Sequence, residues 1–385
     1  MKCLSTSTVN PDAYRAGNEI GEALSQLAPE VVFLFASITY EDSFPDLFEG
    51  LYDGLEPCKP IVFGSTSDGI YETNCVAHHG VCALGLNSEG KLQWTTAIES
   101  GVARDSFAAA RRCAERTTEQ LGGQVDFAFA TADGVKADGS KIVTGLSSVL
   151  KIPFMGGLAG DDRKFKRSWI FLNGQCHEDA VAIIAARGPV VYLVNSASGW
   201  APFGEAGNVD ECHGNVVERI GGMTAQSFLR DQVGKVPGET DLGIVPLATY
   251  DPGADGHYFL RTSSNFDAET GALTMFGSLE KNASVRVCTA TLNDVLDGVE
   301  TALKGSCQKG FTPEAALVVS CAGRRWLLDE RSNEEVERVF TAVGKRIPLI
   351  GLPSFGEIGP FRKDDGSYTP SFFHNVTFVI CLFGS

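Results

Sequence analysis

LIGLPSFGEIGPFRKDDGSYTPSFFHNVTFVI, residues 349–380, places a glycine-rich loop between two apolar runs of β type. The loop carries a hydroxyl at Ser354 and an acid at Glu357, and the triplet Phe373-His374-Asn375 precedes the second run. Rigid strands behind a loop of backbone amides and a few polar side chains are typical of small-ligand sites. The sequence therefore predicts a polar ligand site in this loop.

The strand that opens this stretch completes a pattern that occurs three times along the chain. Each copy has an apolar strand, a helical segment and a second apolar run that ends in a glycine turn. This is the order of a βαβ crossover, in which the strands lie parallel and their loops share one edge. In the third copy, Ser332 and Glu335 are predicted to form the capping box of the helix. The three copies span residues 31–69, 125–162 and 316–357.

Antiparallel-type runs lie between these copies, and Asn173-Gly174 between two apolar runs is a strong hairpin signal. Asn10 and Pro11 are predicted as the N-cap and first position of the first helix. The mixture predicts an α/β fold of mixed α+β character. We expect two domains with mixed parallel and antiparallel sheets flanked by helices, and with internal βαβ-like repeats. The predicted divisions are a helical lead-in at 1–29 and domains at 30–221 and 222–385.

The charge balance limits the classes of partner. The chain has 32 Lys and Arg against 48 Asp and Glu, a formal net charge of −16. Such a surface repels phosphate backbones and anionic membranes, so we expect neither nucleic acid nor membrane as a partner. The longest apolar runs are strand-sized, and the first residues lack the apolar core of a signal peptide. We therefore expect a cytoplasmic protein.

Metal binding has little support in the cysteine pattern. The eleven cysteines include no C-x-x-C pair. Neighbouring Cys and His residues occur at Cys75 with His78 and His79, at Cys176-His177 and at Cys212-His213. Adjacent side chains do not easily meet the tetrahedral geometry of zinc, so the cysteines are interpreted as reduced core or surface residues.

The following motifs occur in order along the chain: GSTSDGI (64–70), GGLAGDD (156–162), SGWAPFGE (198–205), YFLRTSSNFD (258–267), VSCAGRR (319–325), and GLPSFGEIGPF with FHNVT (351–361, 373–377). Together they resemble the FIST sensory family over nearly the whole chain. The resemblance implies an N-terminal and a C-terminal domain, and a small ligand such as an amino acid. The chain departs from the family pattern at Leu352 or Pro353, where many relatives carry an aromatic residue, and the family loop varies around Asp68 and Gly69.

The implied ligand indicates which residues would bind it. Arg324 and Arg325 follow a strand end, and guanidinium groups match carboxylates in two parallel hydrogen bonds. Glu357 and either Asp161 or Asp162 are the predicted acceptors for an ammonium group. The remaining predicted ligand-binding residues are Ser354, Gly356, Gly351, His374 and Asn375.

A second interpretation keeps the family and changes the ligand. Some FIST proteins are haem-binding nitric oxide sensors that regulate a histidine kinase or a diguanylate cyclase. The sequence has no kinase or cyclase segment, so either type of sensor is expected to signal to a separate protein of this kind. Haem iron needs a strong axial ligand, for which His374 or His177 is the candidate. No C-x-x-C-H motif is present, which excludes covalent c-type haem.

An enzymatic function is the weaker alternative. Cys321 as nucleophile with His374 as base meets the minimum for thiol catalysis. However, no third orienting residue is evident, and no G-x-S-x-G, P-loop or G-x-G-x-x-G motif occurs. The sequence is thus interpreted as that of a small-ligand sensor without catalytic activity.

Overall fold

The computed structural model describes residues 1–235, 238, 241–304 and 310–385, and these build three six-stranded sheets and one nine-stranded sheet. The predicted α/β class with mixed parallel and antiparallel sheets is confirmed. Three structural units follow one another. The first contains β1 (Lys2–Thr8), α1 (Ala13–Ser25), β2 (Val31–Ser37), α2 (Phe44–Leu55), β3 (Ile61–Ser67), β4 (Ile70–Glu72), β5 (Cys75–Ala77) and β6 (Val81–Asn87).

The second and third units repeat this order of strands and helices. The second contains β7 (Gln93–Ser100), α3 (Val102–Gln120), β8 (Phe127–Ala132), α4 (Gly139–Val149), β9 (Met155–Leu158), β10 (Ile170–Leu172), β11 (Gln175–His177) and β12 (Ala180–Arg187). The third opens with β13 (Tyr192–Ala197) and is then interrupted by an inserted sheet.

In the described residues, the inserted sheet has nine strands and one α-helix lies among them. Its elements are β14 (Ala201–Pro202), β15 (Gly207–His213), β16 (Val216–Ile220), β17 (Met223–Thr224), α5 (Ala225–Val233), β18 (Leu247–Tyr250), β19 (Tyr258–Arg261), β20 (Ser263–Phe266), β21 (Leu273–Met275) and β22 (Ser284–Thr289). The third unit then continues with α6 (Leu292–Leu303), β23 (Pro313–Cys321), α7 (Ala322–Leu328), α8 (Asn333–Val343), β24 (Leu349–Ser354), β25 (Glu357–Gly359), β26 (Phe372–His374) and β27 (Phe378–Gly384).

The three predicted strand–helix–strand copies are confirmed. Strands β2 and β3, β8 and β9, and β23 and β24 each pair in parallel, and each pair lies in its own six-stranded sheet. The helix between the paired strands is α2, α4 or α8, with the short α7 added in the third unit. The C-terminal ends of β3, β9 and β24 thus carry the three predicted glycine turns.

The units are interlocked because each one contributes a hairpin to a neighbour's sheet. Hairpin β4–β5 of the first unit pairs with β24 of the third, β10–β11 of the second pairs with β3 of the first, and β25–β26 of the third pairs with β9 of the second. The sheets also share one core, in which Phe33 of β2 and Phe129 of β8 meet with ring centroids 5.6 Å apart. This exchange brings the ends of β3, β9 and β24 to one place.

The predicted boundary at residues 221–222 falls on the turn between β16 and β17, which pair with each other in the inserted sheet. The division into domains at this point stays a prediction. The sheet around it is continuous, with β16 also pairing with β15 and β21.

Local capping differs from the sequence prediction in two helices. The N-cap of α1 is Asp12, whose side chain accepts from the amide of Arg15, and not Asn10. At α8 the predicted capping box is wrong, because Ser332 makes no side-chain cap hydrogen bond and Glu335 turns into the core. The Asn173-Gly174 hairpin is confirmed, with both residues at positive φ between β10 and β11. Instead of capping the helix, the Glu335 carboxylate binds buried side chains, among them Arg324.

Candidate functional site

The ends of β3, β9 and β24 form a closed ring of backbone hydrogen bonds. Each strand end donates one amide to the carbonyl of the next, so the three glycine turns lie around a common axis. This ring is the point at which the three units meet. Its hydrogen bonds run from Gly160 N to Thr66 O (3.2 Å), from Asp68 N to Pro353 O (3.0 Å) and from Phe355 N to Leu158 O (3.1 Å).

Arg325 of α7 lies beside this ring and is buried. Its side chain is 3% exposed, and its Nε has no hydrogen-bond partner among the described residues. No carboxylate of the described residues lies within 4.0 Å of the Arg325 guanidinium. A buried charge without a counter-ion costs several kcal/mol. The fold therefore holds a guanidinium ready for an anion.

Asp68, at the end of β3, is the acidic neighbour of Arg325. It is fully buried; Oδ1 accepts from the amide of Asp162 (2.7 Å), and Oδ2 has no partner in the described part of the chain. Burial raises the pKa of Asp68 to about 8, helped by the Asp162 and Asp161 carboxylates and opposed by the Asp162 amide and the Arg325 guanidinium. Oδ2 of Asp68 is thus a second buried polar atom at this corner without a hydrogen-bond partner among the described residues.

Two glycines make room for these side chains. A Cβ on Gly69, whose φ is +104°, would lie 2.8 Å from Nε of Arg325. A Cβ on Gly160 would lie 2.4 Å from Oδ1 of Asp68. Since real Cβ atoms do not approach this closely, glycine at both positions is a condition for the buried pair.

Arg324, the other predicted carboxylate clamp, is fully buried and engaged within the protein. Its Nε donates to Oε1 of Glu335 (2.8 Å), its Nη1 to the carbonyl of Ser198 (2.7 Å) and its Nη2 to that of Val295 (2.8 Å). Glu335 in turn accepts from the hydroxyls of Tyr71 and Ser320. A ligand could reach Arg324 only by displacing these contacts, so its geometry is that of a structural ion pair.

Glu357 and Ser354 lie next to the ring, and both side chains are buried in the protein interior. Glu357 is fully buried and accepts from the amide of Thr377 (3.0 Å) and from Oγ of Ser354 (3.2 Å), which also bonds both the amide and the carbonyl of Gly356. Burial raises the pKa of Glu357 well above its usual range, and does the same for the pKa of the neighbouring Cys321 thiol. Cys321 contacts Glu357, whereas the enzyme alternative paired it with His374.

The two predicted aspartates differ in availability. Asp161 is 1% exposed, and its carboxylate accepts from the amides of Phe165 (2.8 Å), Lys166 (2.5 Å) and Arg167 (3.0 Å). It therefore fixes the loop after β9. Asp162 is half-buried at positive φ, with its amide on Asp68. Of the two aspartates, Asp162 is the more exposed to solvent.

The remaining predicted residues lie away from Arg325 or are used by the fold. His374 is buried, its Nε2 contacts the carbonyl of Gly359 at 2.9 Å, and burial lowers its pKa to about 3. Asn375 donates to the carbonyl of Phe355 and accepts from the amide of Thr262. Gly351 lies within β24 against the side chains of Val318 and Tyr71. His177 is half-buried in β11 and burial lowers its pKa.

Two family models match this chain, one described as the FIST N domain over residues 30–223 and one as the FIST C domain over residues 224–360. The chain belongs to the FIST family. FIST domains are sensory signal-transduction domains taken to bind small ligands. None of the curated proteins matches the chain.

Solved structures resemble this FIST chain only remotely. Cyanuric acid hydrolase from A. caulinodans has 8% sequence identity and a TM-score of 0.36, with 100% of both chains covered. A chorismatase has 11% identity and a TM-score of 0.34, with 100% of this chain and 98% of the other covered. Similarities at this level carry no argument about activity.

A cleft of this FIST chain is lined partly by the loop after β9. The cleft has a volume of about 570 Å³ and lies between that loop and the inserted sheet. Its wall includes Phe165, which stacks on Phe355 of the ring at 4.9 Å, and Arg163, whose guanidinium lies 4.2 Å from the Trp326 ring and donates to the carbonyl of Leu242. The loop thus connects the ring to the inserted sheet.

Sequence reasoning missed Asp68 as a site residue of this FIST chain. Asp68 belongs to the GSTSDGI motif, which ends the first of the three strand–helix–strand copies. Because the second and third copies end in the predicted site residues Asp162 and Glu357, the same position in the first copy indicates Asp68. Arg325 and Asp162 were predicted, and the structure brings them to the same corner as Asp68. Within residues 1–235, 238, 241–304 and 310–385, no helix is long and apolar enough to cross a membrane.

Proposed function

We propose that this FIST protein is a cytoplasmic sensor of a small zwitterion of the amino-acid type. Arg325 binds the ligand carboxylate, while Asp68 and Asp162 accept hydrogen bonds from its ammonium group. One observation carries the proposal. A buried guanidinium and a buried aspartate lie at one corner of the ring without forming an ion pair, and Nε of Arg325 and Oδ2 of Asp68 both lack a partner in the described part of the chain.

The zwitterion follows from the charges at this corner. A simple carboxylate would satisfy Arg325 and leave Asp68 without a partner, and a simple amine would do the reverse. A ligand with both groups supplies one acceptor and one donor set at a short fixed separation. Hydrogen bonds to charged groups contribute about 1.5–3 kcal/mol each, so each half of the ligand should matter for affinity.

The proposed signal passes through Trp326 and Arg163, the chain neighbours of Arg325 and Asp162. These two side chains stack on each other, and the Trp326 ring would lie 3.0 Å from a Cβ on Gly243 of the inserted segment. Ligand that draws Arg325 and Asp162 together would shift this stack against residues 242–243. We propose that the shift changes a surface recognised by a separate signalling protein, such as a histidine kinase or a diguanylate cyclase.

A binding role is proposed in preference to catalysis. The thiolate is the nucleophilic form of cysteine, and burial raises the pKa of Cys321 well above its ordinary value. His374, the base of the enzyme alternative, has its Nε2 on a backbone carbonyl. Because this nitrogen is occupied by the Gly359 carbonyl, it is not available to bind haem iron. We therefore place the haem sensor second to the amino-acid sensor.

Calorimetric titration with a panel of L-amino acids tests the proposal. We expect one class of amino acid to bind with saturation, and both its deaminated and its decarboxylated analogues to bind at least tenfold more weakly. Arg325→Lys keeps the charge and loses the planar fork, so it should reduce affinity by roughly 10-fold to 100-fold. Arg346→Lys is the matched control, since Arg346 is exposed and pairs with Glu337. Unchanged affinity in Arg325→Lys would overturn the assignment.

A further inference from the structure

Arg261 is a second buried arginine without a carboxylate partner. It ends β19, within the motif YFLRTSSNFD that the Arg325 corner does not use, and it is 4% exposed. Its guanidinium donates to the carbonyls of Phe373 (2.5 Å), Leu260 (3.2 Å) and Ser278 (3.5 Å) and to Oγ of Ser140 (3.1 Å). These acceptors are all neutral, and no carboxylate of the described residues lies within 4.0 Å.

The donors of Arg261 are nearly, but not fully, used. A guanidinium has five N–H groups, and the contacts above engage one at Nε, two at Nη1 and one at Nη2. One Nη2 hydrogen has no acceptor among the residues that the structure describes. The rings of Phe259 and Phe373 lie 4.6 and 5.1 Å from Cζ, which closes the group to water on these sides.

A cleft of about 320 Å³ opens onto Arg261, at the lower end of the usual range for small-ligand pockets. One wall is α4, with Lys141, Thr144 and Ser147, and the other includes Phe259 and Phe372. Asp251 and Glu280 also line it, but both are exposed, as is Lys141. Two buried hydroxyl side chains, Thr249 and Ser371, also line the cleft. Among the described residues, Arg261 is the one buried charged group of its lining.

We propose that this cleft binds a monocarboxylate with an apolar chain. The carboxylate accepts from the free Nη2 hydrogen of Arg261 and neutralises its charge, and the chain packs on the Phe259 and Phe372 rings. One remaining guanidinium donor suits a monoanion, whereas a phosphate group carries more negative charge than the single buried cation of the cleft neutralises.

Titration of the full chain with octanoate tests this site without altering Arg261, whose replacement would disturb folding. Thr144→Trp places a large ring at the cleft wall, and Ser148→Trp places it on the same helix outside the cleft; both positions are exposed. We expect saturable octanoate binding that weakens at least tenfold in Thr144→Trp and is unchanged in Ser148→Trp. Octan-1-ol, which has the chain without the charge, should not bind.

The inference is wrong if octanoate shows no saturable binding, if Thr144→Trp binds it like the unaltered protein, or if octan-1-ol binds equally well. The site is independent of the proposed amino-acid site. Arg325→Met should keep octanoate affinity, and Thr144→Trp should keep amino-acid affinity. Each proposal can therefore fail while the other stands.

Discussion

Adjacent arginines at the start of α7 should respond to the same substitution in opposite ways. Arg324 is paired with Glu335 in a fully buried network, whereas Arg325 is buried without a partner in the described part of the chain. Replacement by Met removes the charge and keeps much of the side-chain volume. Arg324→Met leaves the Glu335 carboxylate buried without its cation, which costs about 3–5 kcal/mol. Arg325→Met removes an uncompensated buried charge.

The expected result is a contrast in the free energy of unfolding. Arg324→Met should lose about 3–5 kcal/mol, a large part of the stability of an ordinary domain, while Arg325→Met should lose less than about 1 kcal/mol or gain stability. Urea unfolding at pH 7 without ligand, followed by circular dichroism, measures both. The ligand titration gives the complementary readout, because only Arg325→Met should fold normally and fail to bind.

Comparable destabilisation by the two substitutions would refute this reasoning. It would mean that Arg325 has a structural role of the same weight as Arg324. The double variant Arg324→Met with Glu335→Gln serves as a control, since removing both charges should restore part of the stability that Arg324→Met loses.

Three further predictions concern the Asp68 corner. Burial places the pKa of Asp68 at about 8 against 3.8 for an ordinary aspartate, so the folded state binds the extra proton and stability falls as pH rises through this window. Asp68→Asn should remove up to about 1.4 kcal/mol of this loss per pH unit in urea unfolding between pH 4 and 8, and exposed Asp364→Asn should not. Because Asp68 must ionise to accept the ammonium group, amino-acid affinity should rise up to tenfold per pH unit towards pH 8, with proton release in calorimetry in buffers of different ionisation enthalpy; a flat profile would contradict this role. Gly160→Ala should push Asp68 from its place and reduce both stability and affinity, while Gly123→Ala, where a Cβ meets no atom within 4 Å, should leave affinity unchanged.

The local elements of the fold were predictable from sequence, but their assembly was not. Apolar runs and glycine turns indicate the pairs β2/β3, β8/β9 and β23/β24, and Asn173-Gly174 indicates a hairpin, because these depend on neighbouring residues. The exchange of hairpins between sheets depends on pairings such as Gly351 with Tyr71, far apart in the chain. No local pattern encodes such a pairing.

The candidate site shows the same limit. Arg324 and Arg325 are identical in type and adjacent, so sequence alone assigns them the same role. Their difference comes from Glu335, which leaves its predicted capping position to pair with Arg324. Asp68 is recognised as a site residue only from the structure, in which the hydrogen-bonded ring joins it to Pro353.

The most direct test of the amino-acid sensor is a crystal structure of the protein grown with the amino acid that binds most tightly. The account predicts ligand density with the carboxylate on the Arg325 guanidinium and the ammonium group within hydrogen-bond distance of Asp68 or Asp162. Density for the amino acid elsewhere, with the Arg325 corner unchanged, would contradict it.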